Sequence, residues 1–160
     1  MAPATTDLCD AYGDRLQVAE PVFRGFGSRT AFAGTVATVK VFEDNLLVRE
    51  SLEQPGGGRV LAVDGGGSPR CALLGDRLAT KASENGWSGV VVYGCIRDSA
   101  QIDSLDLGVR ALNVHPRRSA KRGEGQRDVP VRFAGLEIRP GAWLCADADG
   151  IILADEPLSA

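Results

Sequence analysis

Apolar positions change their period several times along the chain, and each change marks an expected element. The run Thr35-Val36-Ala37-Thr38-Val39-Lys40-Val41 alternates small or polar residues with valines, the pattern of a half-buried strand. Val60-Leu61-Ala62-Val63 and Val90-Val91-Val92-Tyr93 are instead continuously apolar and bounded by glycines, which suits strands covered on both faces. Between them the spacing lengthens. Asp44 or Asn45 to Gln54 reads as a helix stopped by Pro55-Gly56-Gly57-Gly58. Residues 72–85 place Leu73, Leu74, Leu78 and Ala82 at mostly three- and four-residue spacing, predicting a second helix that closes at Gly86. A short helix from about Asp98 carries Ile102, Leu105 and Leu107, and residues 109–114 return to strand. This alternation predicts an α/β fold with a parallel core and right-handed crossovers.

At the start, Thr5, Thr6 and Asp7 stand as caps before Leu8, Cys9 and Ala11, so residues 6–12 are expected to form a short helical arm. At the end, residues 129–133, 136–138, 142–145 and 151–153 are strand candidates separated by Gly135, Pro140-Gly141 and Asp149-Gly150. That β-rich part is expected to add a second layer. With neither an internal repeat nor a dividing linker, residues 1–160 are expected to form one domain.

Composition narrows the class. Hydrophobic residues at 44% and charged residues at 24% argue against wholesale disorder, and no apolar run approaches the roughly 18 residues of a spanning helix. The first ten residues lack the charged-then-apolar layout of a secretory leader, so a cytoplasmic location is expected. A net charge of -3 gives no general attraction to nucleic acid. The interrupted basic cluster of Arg117, Arg118, Lys121 and Arg122, followed by Glu124, reads as a solvated loop. Cys9, Cys71, Cys95 and Cys145 form no C-x-x-C pair and read as reduced thiols. His115 is the only histidine, which excludes multi-histidine zinc sites within one chain; a bound metal would be held mainly by oxygen.

Ligands of parallel α/β sheets gather at the carboxyl ends of strands. The loop Asp64-Gly65-Gly66-Gly67-Ser68-Pro69 lies at one such end, but it matches no nucleotide-binding glycine pattern and reads as a turn. The other end is Tyr93-Gly94-Cys95-Ile96-Arg97-Asp98. There a carboxylate could hold a hard cation while the guanidinium grips an oxyanion. The dipeptide alone fits a commoner arrangement equally well, in which Asp98 caps the next helix and Arg97 makes a surface ion pair.

Several motifs in one order extend this reading. They begin with Leu8-Cys9-Asp10, Phe42-Glu43-Asp44-Asn45 and Val63-Asp64-Gly65-Gly66-Gly67-Ser68. Asn85-Gly86-Trp87-Ser88-Gly89, Val92 to Asp98 and Ala146-Asp147-Ala148-Asp149-Gly150-Ile151-Ile152-Leu153 complete the series. The sequence resembles the family that joins regulators of ribonuclease activity A with 4-hydroxy-4-methyl-2-oxoglutarate aldolases. The resemblance implies a swivelling β/α/β fold, assembled as a trimer that can pair into a hexamer, with ligand clefts between subunits. Lyase members carry an acid or glycine twenty residues before an Arg-Asp pair; here Asp76 precedes Arg97-Asp98 with residues 77–96 between. An acid that some relatives carry three positions after that pair is Gln101 here.

By the same resemblance, Asp98 would anchor Mg²⁺ or Mn²⁺ and Asp76 would position the base. Arg97 would face the developing enolate, and the backbone N–H groups of Gly75, Asp76, Arg77 and Leu78 would grip the substrate carboxylate. The implied activity is a class II aldolase releasing pyruvate, with oxaloacetate decarboxylation through the same enolate. The alternative is a non-catalytic regulator that docks on ribonuclease E. A Schiff-base route finds no support, because Lys40, Lys81 and Lys121 are the only lysines and none sits in a catalytic context. A menaquinone-methylation label also attaches to the family, but no methyl-donor glycine motif is visible. Trp87 and Trp143 read as packing groups, His115 as a strand end, and Asp147 and Asp149 as turn residues.

Overall fold

The computed structural model describes residues 2–160. In chain order the elements are α1 (Thr5–Tyr12), β1 (Gln17–Val18), β2 (Arg24–Phe26), β3 (Phe32–Lys40), α2 (Leu46–Leu52), β4 (Val60–Asp64), β5 (Ala72–Leu74) and α3 (Asp76–Glu84). There follow β6 (Gly89–Ile96), α4 (Ser99–Ile102), β7 (Gly108–Val114), β8 (Gln126–Arg127), β9 (Val131–Phe133), β10 (Leu136–Ile138), β11 (Trp143–Asp147) and β12 (Gly150–Ala154). Strands β3, β4, β6 and β7 lie side by side in parallel, the expected core.

Alternation within the apolar strands sorts their side chains to two faces. Leu61 and Val63 of β4 pack with Val48 and Leu52 of α2, Leu78 of α3, Trp87 and Val92. Val60 and Ala62 point the other way, against Val131, Phe133, Leu136 and Ile138 of the β9–β10 hairpin. Both faces of β4 are therefore covered, which is why its sequence shows no polar alternation. Both tryptophans are buried packing groups; Trp87 Nε1–H also donates to Gln54 O at 3.0 Å, which satisfies its one polar atom.

Three expectations are corrected. Residues 72–74 are not the start of a helix but the short strand β5, paired parallel with β6, and the helix begins only at Asp76. Ala72, Leu73 and Leu74 are all buried, and the apparent helical spacing arose because this continuous apolar run happens to abut Leu78. The helix after Asp98 spans only Ser99–Ile102; Ile102 and Leu107 reach the core, with Leu107 arriving from a turn. The C-terminal strands do not form a separate layer. β11 pairs antiparallel with the first half of β3, and the order β1-β12-β11-β3-β4-β6-β7-β2 makes one continuous mixed sheet, with only β9–β10 standing apart.

That sheet curls. Arg110 on β7 donates to Thr30 O at 2.8 Å and to Asp147 O at 3.3 Å, joining its two sides. The opening helix forms as expected, yet its cap is remote: Asp147 accepts both the N–H and the hydroxyl of Thr5 at 2.7 Å. No described helix is long and apolar enough to cross a membrane.

Candidate active site

The parallel pairing of β5 with β6 brings the chain after Leu74 beside the chain after Ile96, and the Arg97 N–H donates to Leu74 O at 2.9 Å. Asp98 then takes φ 58°, in the left-handed region that non-glycine residues seldom occupy. Its carboxylate turns back towards α3, where Oδ2 accepts the Asp76 N–H at 3.1 Å. The Asp98 side chain does not cap α4, and Arg97 has no carboxylate within ion-pair distance among the described residues. Both commoner readings of the dipeptide are therefore removed.

Gly75 makes room for this arrangement. A Cβ there would lie 2.9 Å from Asp98 Oδ2 and 3.4 Å from Arg97 Nε. The N–H groups of Asp76, Arg77 and Leu78 open α3, where no intrahelical acceptor exists and negative charge is favoured. The structure shows one of these groups already engaged by Asp98. It thus unites Gly75, Asp76, Arg77, Leu78, Arg97 and Asp98 in the wall of one cleft of about 690 Å³.

Six cationic side chains and two carboxylates line this cleft, although the whole chain carries a net charge of -3. Arg49 and Lys81 are both drawn to Glu53, at 3.0 and 3.7 Å. Arg77, Arg97, Arg118 and Lys121 stand in no ion pair among the described residues. Such a concentration of fixed positive charge favours a ligand with more than one negative group.

Arg118 and Lys121 correct the reading of their segment as a solvated loop. Residue 118 forms a bridge beside Ala72, and Asp44, only 2% exposed, ties down the rest. Its carboxylate accepts the N–H groups of Arg122 at 2.8 Å, Gly123 at 3.2 Å and Glu124 at 3.4 Å, as well as Leu46 at 3.1 Å. Burial pushes the Asp44 carboxyl up, but these four donors together hold it below its ordinary value. Asn45 also lines the cleft; its Nδ2 donates to Leu73 O at 3.3 Å, while Oδ1 is buried without a partner. No local motif marks these residues, because their roles depend on segments far apart in sequence.

Other candidates fall elsewhere. The 64–69 loop lies outside the cleft: Gly66 N–H donates to Asp64 Oδ1 at 3.0 Å and Gly67 N–H to Tyr93 O at 3.1 Å, a turn as expected. His115 ends β7, its Nδ1 accepting the Arg117 N–H at 3.1 Å. Asp147 and Asp149 line a different hollow of about 430 Å³ beside Arg110.

Residues 5–153 match the family described as RraA-like, aldolase/RraA. The chain belongs to this family. A protein of Alkalilimnicola ehrlichii bearing the inferred name 4-hydroxy-4-methyl-2-oxoglutarate aldolase is 61% identical over 99% of this chain and 98% of its own. A like-named protein of Cupriavidus necator is 58% identical over 99% of both. Among solved structures, the RNA-processing inhibitor RraA of Thermus thermophilus superposes with a TM-score of 0.95 at 50% identity, covering 100% of this chain and 97% of the other. A Geobacillus kaustophilus structure named as an S-adenosylmethionine:2-dimethylmenaquinone methyltransferase matches with the same score at 52% identity, covering 97% and 96%. RraA-like proteins this similar thus carry three different functional names, and the site has to choose between them.

Proposed function

We propose that this protein is a divalent-metal-dependent aldolase that cleaves 4-hydroxy-4-methyl-2-oxoglutarate to pyruvate and decarboxylates oxaloacetate as a secondary activity. The observation that carries this reading is the Asp98 carboxylate, turned onto the start of α3 between Asp76 and the unpaired Arg97. We take residues 1–160 to act as one domain and to assemble as trimers, which can pair into hexamers.

The donor set fits a hard cation. Asp76 and Asp98 are the only carboxylates lining the cleft, and no group of three or more His, Cys, Asp or Glu side chains gathers among the described residues. Mg²⁺ or Mn²⁺, which accept carboxylate oxygen and retain waters, suit such a site; zinc in a thiolate or imidazole cage does not. Asp98 would hold the metal, which when bound supplies positive charge to the oxo oxygen of the substrate.

The remaining work falls to the chain. The free N–H groups of Arg77 and Leu78 hold the carboxylate next to the oxo group. Asp76 takes up the 4-hydroxyl proton, directly or through a water, as the C3–C4 bond breaks and its electron pair moves into the C2–C3 enolate. The 4-carbon becomes the carbonyl of the departing 2-oxo acid. Arg97 stabilises the enolate oxygen, and a proton returned to C3 completes pyruvate. Oxaloacetate reaches the same enolate by losing CO₂.

Pyruvate release from both substrates, measured with Mg²⁺ or Mn²⁺ and again with chelator, tests the reading. Turnover should need metal and should fall at least about a hundredfold in Asp98→Ala, the scale of losing a group that organises the transition state. Absence of turnover with any metal would falsify it. The likeness to the RNA-processing inhibitor would then favour the second reading, a regulator of ribonuclease E, which a ribonuclease inhibition assay would test.

A further inference from the structure

Four elements meet at the open side of the cleft, and one of them is the basic segment held there by Asp44. Its position follows from backbone pairing. Ala72 of β5 lies opposite Cys95 of β6 on one side and Arg118 on the other. Two strand spacings, about 10 Å in all, therefore separate the backbone at Arg118 from the strand that leads into Arg97. Ser119 is buried, whereas Arg118 and Lys121 on either side of it are exposed along the cleft. Neither has a carboxylate partner among the described residues, unlike Arg49 and Lys81 at the same rim.

We propose that Arg118 and Lys121 select for dicarboxylic 2-oxo acids by binding the carboxylate distant from the oxo group. The inference rests on the aldolase reading, which places the first carboxylate and the oxo group at α3 and Arg97. A substrate extended from that end towards the opening brings its second carboxylate to the basic segment. The segment cannot swing away without breaking the three N–H bonds to Asp44, so its charges are fixed before the ligand arrives. A monocarboxylic substrate of the same length leaves both cations solvated and gains nothing from them. Discrimination follows from charge, not from shape.

Binding of 2-oxoglutarate and of 2-oxopentanoate, which replaces the distal carboxylate by a methyl group, can be compared by calorimetry with Mg²⁺ present. The wild type should prefer 2-oxoglutarate at least tenfold, and the preference should shrink as salt is added. In Arg118→Met with Lys121→Met the ratio should fall towards one. Arg132→Met, which removes a cation outside the cleft, should leave the ratio as it was. A wild type without preference, or a double variant that keeps it, overturns the proposal. Pyruvate release measured on the same preparations separates the two ideas: turnover with an unchanged binding ratio defeats only the role of Arg118 and Lys121. A chain that binds the dicarboxylate selectively but turns nothing over defeats only the aldolase reading. Failure to bind either acid defeats both.

Discussion

Asp98 and Gly75 form one unit, since the carboxylate lies where the side chain of any other residue at position 75 would stand. The backbone at Gly75, φ -120° and ψ -174°, is open to alanine, so Gly75→Ala tests space and not backbone strain. Its Cβ should displace Asp98 by a fraction of an ångström to an ångström, and misplacement on that scale can cost about a hundredfold in rate. We expect kcat/KM to fall between about tenfold and a hundredfold while the melting temperature stays within a few degrees, because the displaced groups border an open cleft. A large loss of stability would show instead that the Asp98–Asp76 contact holds the fold. The cysteines provide a second test at this scale. Burial, with the charge of Asp147 behind it, pushes the Cys145 thiol up to about 11, and the thiol donates to Pro3 O at 3.3 Å. Cys71 and Cys95 are buried and raised as well, Cys71 also by nearby Glu43. Since the thiolate is the reactive form, a thiol reagent at neutral pH should modify the partly exposed Cys9 first, and the other three only on unfolding; peptide mapping reads the order.

Among the elements, the segment from 117 to 124 owes its position to one carboxylate, and this gives a prediction with a definite sign in pH. Asp44 is held below the ordinary carboxyl value of about 4 in the folded chain, so its stabilisation is complete above that value and is lost as pH falls through the lower folded-state value. Asp44→Asn keeps the size but weakens four N–H bonds. It should cost about 1–3 kcal/mol at neutral pH in urea denaturation and flatten the acid limb of the stability curve. Asp147, lowered by its bonds to Thr5, Asp149 and Gly150 despite the opposing effect of burial, should preserve the rest of that limb. These anchors also show where sequence reading stops. Period and burial agree for β3, β4, β6 and β7, whose side chains meet the same environment along the whole run. β1, β2 and β8, of two or three residues, are too short to display a period, and β5 merges into the helix behind it. In the site, Asp76, Arg97 and Asp98 were legible through the spacing of a known pattern. Asp44, Asn45, Arg118 and Lys121 were not, because what places them is a hydrogen bond or bridge to a remote segment.

At the scale of the molecule, the curl of the sheet is the feature furthest from anything a local pattern could reveal. β3 takes β11 along its first half and β4 along its second, so the C-terminal hairpin of β11 and β12 extends the parallel core instead of covering it. Phe32 marks the joint: its ring fills the space above Gly108, where a Cβ would come within 2.0 Å of it, and the Arg110 guanidinium lies 5.2 Å from its centre. Arg110 is 7% exposed and has no carboxylate within ion-pair distance; its charge is met by the carbonyls of Val109, Thr30 and Asp147 and by that ring. Burial lowers its pKa from the ordinary value, opposed by the charge of Asp147. A guanidinium can serve several carbonyls in one plane, whereas an ammonium is a compact, strongly hydrated charge that cannot reach them all. Arg110→Lys therefore keeps the charge yet leaves buried carbonyls unsatisfied, each worth about 1–3 kcal/mol. We expect a total loss of roughly 2–4 kcal/mol in urea denaturation, from two such carbonyls. Hydrogen exchange should quicken in β2, β11 and β12, which the curl brings together, before it quickens in β4 and β6. If exchange rose evenly across all strands, Arg110 would be acting on the core as a whole and not on the closure of the sheet.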